Sequence, residues 1–240
     1  AAKAFAETQE KRSASFSVLF EDDDLFVINM PAGIAVQATK GTAKDLDKRI
    51  ALERPDLRFL RLIHRIDRDT SGVLLFAKNE KSLAQMENAF RERSLDKFYT
   101  VLVKGVWPYE GKYKMAMPLR KIITKGGETR VVIDARGQEA KSNFSLLKKM
   151  GECSLLEAKI ETGRMHQIRV HLAHLGYPVV GDELYGDFSW NKQLKGLKRM
   201  FLHASRIIFP HQRTGEKIEL AAPLPPELEE FLKYAQATAS

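Results

Sequence analysis

The sequence predicts an α+β protein. Two observations carry this: many short β-compatible runs bounded by turn residues, and helical segments too interrupted for a regular βαβ alternation. A third sets the scale. The chain has 240 residues, 44% hydrophobic and 29% charged, enough to bury a sizeable core as one large domain or two small ones. No internal repeat or low-complexity linker divides it, so 16–236 is expected to be a single domain. Ala1 to Ser15 are small, polar and charged, and are expected to be a disordered leader.

The elements follow in order. Phe16 to Phe20 and Leu25 to Asn29 read as strands around an acidic turn, closed by Pro31 and Gly33. Thr42 to Glu53 holds a short helix with Leu46 and Ile50 at i,i+4 spacing and Gly41 or Thr42 as cap. Phe59 to Ile63 and Val73 to Ala77 are two apolar strands flanking His64-Arg65-Ile66-Asp67-Arg68-Asp69-Thr70-Ser71-Gly72. Asn79 to Glu92 is an amphipathic helix with Leu83, Met86 and Phe90 on one face and Ser82 with Gln85 as a capping box. Lys97 to Gly105 is a mostly apolar strand, in which Tyr99 reads as an ordinary strand aromatic.

Residues 111–149 are rich in Lys and Arg and broken into hairpins, with Gly126-Gly127 as a tip and strands at Val131 to Ile133 and Ser142 to Leu147. Leu155 to Ile160 is a further strand. Ile168, Leu172 and Leu175 then mark a helix from near His166 to Gly176. Thr162 and Gly163 stand before its N-terminus, where free backbone N–H groups attract anions. Strands at Arg206 to Phe209 and Lys217 to Leu220 and a helix at Glu227 to Tyr234 complete the chain.

The polar loop at 64–72 carries two strands' worth of burial on either side and two arginines and two aspartates within six residues. Thr70-Ser71-Gly72 closes it with turn chemistry. Its nine residues resemble the signature of the RluA-type pseudouridine synthases. Lys97-Phe98-Tyr99 resembles that family's second motif, and Gly163-Arg164-Met165-His166-Gln167-Ile168-Arg169 its third. The likeness runs from about Val18 to Phe231. It is strongest to RluC-like members, which modify large-subunit ribosomal RNA, through the 67–72 stretch, Gly127-Glu128 and Phe201-Leu202-His203-Ala204. One departure is Met30, where the family usually carries lysine before the proline. Many relatives also carry an S4-type RNA-binding domain ahead of the catalytic one, and 240 residues leave no room for it.

The resemblance implies a long, mixed, mostly antiparallel sheet with a cleft across one face. It implies an enzyme that detaches uracil from C1′, rotates it and rejoins it through C5, with no cofactor and no metal. Asp67 matches the catalytic aspartate. A carboxylate can attack C1′, add to C6 or act as base on the sugar. Arg169 matches the arginine that pairs with it, and an ionised carboxylate in a cleft needs such a partner. Tyr99 matches the active-site tyrosine, expected against the uracil, with its hydroxyl a candidate acceptor for the C5 proton. Arg65 is expected to face RNA and fill the space left by a flipped base. His64, Arg164 and Ile168 are expected at the substrate, His64 bracing the loop or touching phosphate. Asp69 is assigned to structure.

Other classes are weighed against this. His171 and His174, three apart on a helix, could share a metal with His166, though no acidic or thiol ligand is grouped with them. A catalytically silent RNA-binding module would keep the fold, and an aspartate-dependent N-glycosidase would release free uracil. Transfer RNA is the alternative substrate to ribosomal RNA. The formal charge of +8 favours a polyanionic partner. The single cysteine, Cys153, excludes an internal disulfide framework and fits a reducing compartment. No apolar run has membrane-span length, and no secretion signal opens the sequence. A cytoplasmic monomer is expected, with an organellar matrix as the alternative location.

The basic 111–149 stretch reads either as a solvated surface or as an arm that tracks phosphates. If it tracks phosphates, neutralising Lys121, Lys125 and Arg130 should lower the slope of log affinity against log salt by about one per lost contact. An unaltered slope in RNA filter binding would return the segment to plain surface.

Overall fold

A computed structural model describes residues 16–33 and 44–237. The expected leader and the expected caps Gly41 and Thr42 lie outside the described residues. Ten strands form one sheet: β1 (Ser17–Glu21), β2 (Leu25–Met30), β3 (Arg61–Leu62), β4 (Ser71–Ala77), β5 (Asp96–Lys104), β6 (Lys112–Met115), β9 (Ser142–Met150), β10 (Cys153–Ile160), β11 (Leu202–Pro210) and β12 (Lys217–Ala221). Its main path runs β1-β2-β4-β11-β5-β10-β9-β6, with β3 on β4 and β12 on β11. Among the described strands β11 and β4 pair in parallel and the other pairings are antiparallel. The expected α+β class and mixed, mostly antiparallel sheet are what forms.

Period-two alternation assigns each strand residue to a face. Phe26, Ile28, Leu74, Phe76, Tyr99, Val101 and Val103 turn to the front, where helix α1 (Lys44–Glu53) adds Leu46 and Ile50. Leu25, Val27, Val73 and Leu75 turn to the back, under Met86 and Ala89 of helix α2 (Glu80–Arg91). Helices α3 (Gln167–His174), α4 (Phe188–Asn191) and α5 (Pro226–Ala237) complete the chain, with Leu228 and Phe231 of α5 in a further back cluster that holds Cys153. The Cys153 thiol is buried and pushed up to about 11 by that burial, so it is a core residue. Leu74 and Leu75 are fully buried, each contributing about 1.5–3 kcal/mol by leaving water. No helix of the described residues is long and apolar enough to cross a membrane.

Three expectations change. The run Phe59 to Ile63 gives only two residues of strand, because Arg61 and Leu62 pair with the end of β4 and the chain then leaves the ladder. Ile63 N–H still donates to Leu75 O at 3.0 Å, and the Leu75 N–H donates to His64 Nε2 at 3.2 Å. The imidazole thus takes the place of the next ladder carbonyl. The cap of α2 is Asn79, whose side chain accepts from Ser82 N, while the Ser82 hydroxyl is spent on Asp24 O and Asn79 O. Ser142 to Leu147 extends to Met150. The basic hairpin forms as expected: β7 (Leu119–Ile123) and β8 (Thr129–Ile133) make a separate two-stranded sheet with Gly127 at its turn.

The far edge of β4 is divided among three partners. β11 takes Ser71 and Gly72, the Ile63–His64 stretch takes Leu75, and β3 takes Phe76 and Ala77. At Gly72 φ is +117°, and a Cβ there would lie 2.1 Å from Ala204 O. Only glycine lets the signature loop enter the sheet at this point. Gly72→Ala is therefore expected to cost roughly 2–4 kcal/mol. The check is the urea unfolding midpoint, which should fall at unchanged slope.

Candidate active site

A cleft of about 1360 Å³ opens on the front of the sheet. The 64–69 loop, the cleft end of β5, the Gly163–His166 turn, Arg169 and the Lys198–Met200 segment line it. Three stretches far apart in sequence meet here, and one side chain joins them. Arg169 Nη1 donates to Asp67 Oδ2 at 3.1 Å. Its Nε and Nη2 form a two-pronged bond with Asp182, at 2.7 and 2.8 Å.

Asp182 is fully buried. Burial alone would raise its pKa. The Arg169 guanidinium and the N–H groups of Leu184 and Tyr185 reverse this and hold it below the usual value of 3.8. Burial opposes the charge on Arg169, and the two carboxylates more than restore it. The guanidinium is fixed by Asp182 and presents its remaining nitrogen to Asp67. Asp67 keeps a quarter of its side chain open to the cleft, and among the described residues its Oδ1 accepts no hydrogen bond. Asp182 was not singled out from sequence. Its signal is the pair of glycines around it: a Cβ on Gly181 would lie 2.3 Å from Arg199 O, and one on Gly186 2.2 Å from Asp182 O.

Tyr99 lines the cleft from β5. Burial, then the negative charge of Asp67, pushes its phenol well above the ordinary tyrosine range. It stays protonated at neutral pH, so the expected role as acceptor of the C5 proton is not supported by its surroundings. His64 lies stacked on Phe90 with ring centres 5.2 Å apart. Burial and the nearby Lys97 ammonium bring it down to about 3. A neutral His64 braces the loop and offers no cation to phosphate. Arg65 is exposed on the cleft rim and has no ion pair among the described residues. Arg164 lines the cleft and donates from Nε to Glu139 O at 2.9 Å. Ile168 requires correction. It is 5% exposed and belongs to the front core with Tyr99 and Leu172, because α3 turns its 168 and 172 positions toward the sheet.

His166 and Tyr185 were not expected in this role. His166 is the left-handed residue before α3, with φ of +55° and Nε2 4.0 Å from Asp67 Oδ2. Tyr185 accepts Val131 N–H at 2.9 Å and lies 2.8 Å from His166 Nδ1. The hydroxyl proton is then free to go to Nδ1, which leaves N–H on Nε2, facing Asp67. Burial outweighs the Asp67 charge and lowers the His166 pKa, which keeps the ring neutral. The Tyr185 ring also underlies the Arg169 guanidinium at 5.0 Å. Arg199 ends the basic stretch from Lys192 and is mostly buried. It donates to Asp69 O, Ser71 Oγ and Glu227.

His171 is not available to a metal, since Ser142 Oγ and Met117 O engage its two nitrogens at 2.9 and 3.0 Å. Asp22 and Asp24, on the turn after β1, cluster elsewhere with His211, just past β11, and are already bonded within the cluster and to Arg213 and Asn79.

Asp182→Asn should cost about 3–5 kcal/mol, because it leaves a buried guanidinium poorly paired. A depressed carboxylate pKa means the contribution is complete above pH 3.8 and is lost as pH falls through the lower folded value. Urea unfolding should show the wild type losing stability more steeply than the variant below about pH 4. Parallel pH curves and equal midpoints would remove the anchor role.

The RNA pseudouridylate synthase family matches residues 24–174. Ribosomal large subunit pseudouridine synthase C of Pasteurella multocida is 41% identical over 217 residues, covering 90% of this chain and 66% of that protein. The protein of the same name from Escherichia coli is 38% identical over 220 residues, 90% of this chain and 69% of its own length. The chain thus spans about two thirds of the length of these relatives. Human RNA pseudouridylate synthase domain containing 1 superposes with a TM-score of 0.76 at 27% identity, covering 91% of this chain and 88% of its own. Human RNA pseudouridylate synthase domain containing 4 shares the fold, with a TM-score of 0.74 at 23% identity over 98% and 96% of the two chains. With its family match spanning more than half its residues, the chain belongs to the RNA pseudouridylate synthases.

Proposed function

We propose that this chain isomerises uridine to pseudouridine in structured RNA, and that its substrate is large-subunit ribosomal RNA. The observation that carries the reading is the Asp67 carboxylate, held at 3.1 Å by Arg169 on the wall of the same cleft that Tyr99 lines. The relatives named for the ribosomal large subunit support the choice of RNA. Residues 16–236 act as one catalytic domain, as a monomer in the cytoplasm.

The chemistry breaks the N1–C1′ bond, turns the base and forms a C5–C1′ bond, with the C5 proton released to solvent and N1 taking one up. It consumes no oxidant or reductant, so it calls for no redox cofactor. Asp67 supplies the carboxylate, and its unbonded Oδ1 suits attack at C1′, addition to C6 or removal of a sugar proton alike. Arg169 pairs with that carboxylate and aims it. Tyr99 gives the uracil a buried aromatic surface, as an uncharged phenol. Water must be kept from the detached base, and the apolar floor of Ile66, Tyr99 and Ile160 serves that end. Arg65 fills the stack vacated by the flipped nucleotide. Arg164 meets the RNA backbone.

The deciding experiment is release of tritium from C5-labelled uridine in naked ribosomal RNA. The wild type should release it without free uracil, and Asp67→Asn should bind RNA and release none. Turnover by Asp67→Asn near the wild-type rate would sink the assignment. Free uracil as product would indicate an N-glycosidase.

A further inference from the structure

Lys97 is a cleft cation that the chemistry above does not use. It lies two residues before Tyr99 on β5, so both side chains share the cleft face of the sheet. Its Nζ sits 5.4 Å from the centre of the Phe90 ring and 3.4 Å from the Cβ position of Gly163. Among the described residues it has no carboxylate partner. The nearby acids are engaged elsewhere: Asp96 with Lys159 at 2.7 Å, Glu139 with Lys141 at 2.6 Å and with Arg93 at 2.5 Å, and Glu161 with the Asn143 amide at 3.0 Å.

The groups that face Lys97 make its isolation more pronounced. Arg164 approaches from the turn after β10 and Arg93 from the end of α2, both as like charges. His64 beside it is neutral. Arg164 spends Nε on Glu139 O, and among the described residues its terminal nitrogens have no acceptor. A half-buried ammonium and a guanidinium that line one cleft and repel each other, with no anion between them among the described residues, are costly to hold. They form a donor set that a phosphate oxygen pair would complete.

We propose that Lys97 and Arg164 form a phosphate subsite on the cleft wall, which takes a backbone phosphate of the RNA strand carrying the target uridine. This rests on the reading of the cleft as an RNA site. It also has a consequence of its own. Burial, then Arg164 and Arg93, brings the free Lys97 ammonium down to about 8. Below that pH the subsite is already charged. Above it, binding a phosphate requires uptake of a proton, so affinity falls as pH rises.

The test is equilibrium filter binding of a ribosomal RNA transcript at fixed salt, with wild type, Lys97→Arg and Lys97→Met. From about pH 7 to about pH 8.5 the wild type should lose about fourfold more affinity than Lys97→Arg, whose charge does not titrate. Lys97→Met should bind roughly tenfold more weakly at neutral pH and show no such excess loss. Equal pH dependence in wild type and Lys97→Arg would overturn the subsite. So would Lys97→Met binding as tightly as wild type, or inorganic phosphate raising Tm in a Lys97-dependent way while RNA affinity is unchanged. Failure of the broader reading looks different: the wild type would then make no pseudouridine at neutral pH, whatever residue 97 is.

Discussion

The fork of Arg169 is the interaction on which the site depends. One guanidinium satisfies a fully buried carboxylate at Asp182 and reaches a partly open one at Asp67. The division of labour is physical. A buried carboxylate with two backbone N–H donors can only hold; a carboxylate with one oxygen free can react. The anchor Asp182 is thus chemically the same as Asp67, the carboxylate proposed to react, and differs only in how completely it is enclosed.

Around that fork the sheet acts as a mounting plate. β4 carries the signature loop into the middle of the sheet, and its free edge is shared by a parallel strand, an imidazole and a two-residue strand. Such an edge cannot slip by one residue without losing all three partners at once. His203 reinforces it from β11, bonding Ser71 Oγ at 2.8 Å and Ala222 O at 3.0 Å. Met30, where lysine is usual in the family, is fully buried opposite Gly72 in this same region, as an apolar part of the front core.

Much of this was legible in the residues. Short apolar runs bounded by turn residues placed the strands, helical spacing of apolar residues placed α1, α2 and α3, and the three motifs pointed to Asp67, Tyr99 and Arg169, which the fold brings to one cleft. What escaped was of one kind. Asp182, His166, Tyr185 and Arg199 matter through what they touch, and each touches something distant in sequence. Asp182 stands in a short polar stretch and Arg199 in a basic one, and nothing local in the sequence names the distant partner of either. Ile168 failed for the opposite reason: membership of a motif does not say which way a helix turns a side chain, whereas its i+4 partner Leu172 did. Ser82 was read as a cap from local spacing, but a buried hydroxyl was recruited by the Asp24 carbonyl instead.

The long reach of these bonds also sets an order of assembly. Asp67 finds Arg169 102 residues later, Asp69 finds Arg199 130 later, and Ser71 finds His203 132 later. A chain emerging from the ribosome therefore carries Asp67 through 102 further residues of synthesis before Arg169 exists to pair with it. The carboxylate becomes an aimed group only once Asp182 has fixed the Arg169 guanidinium.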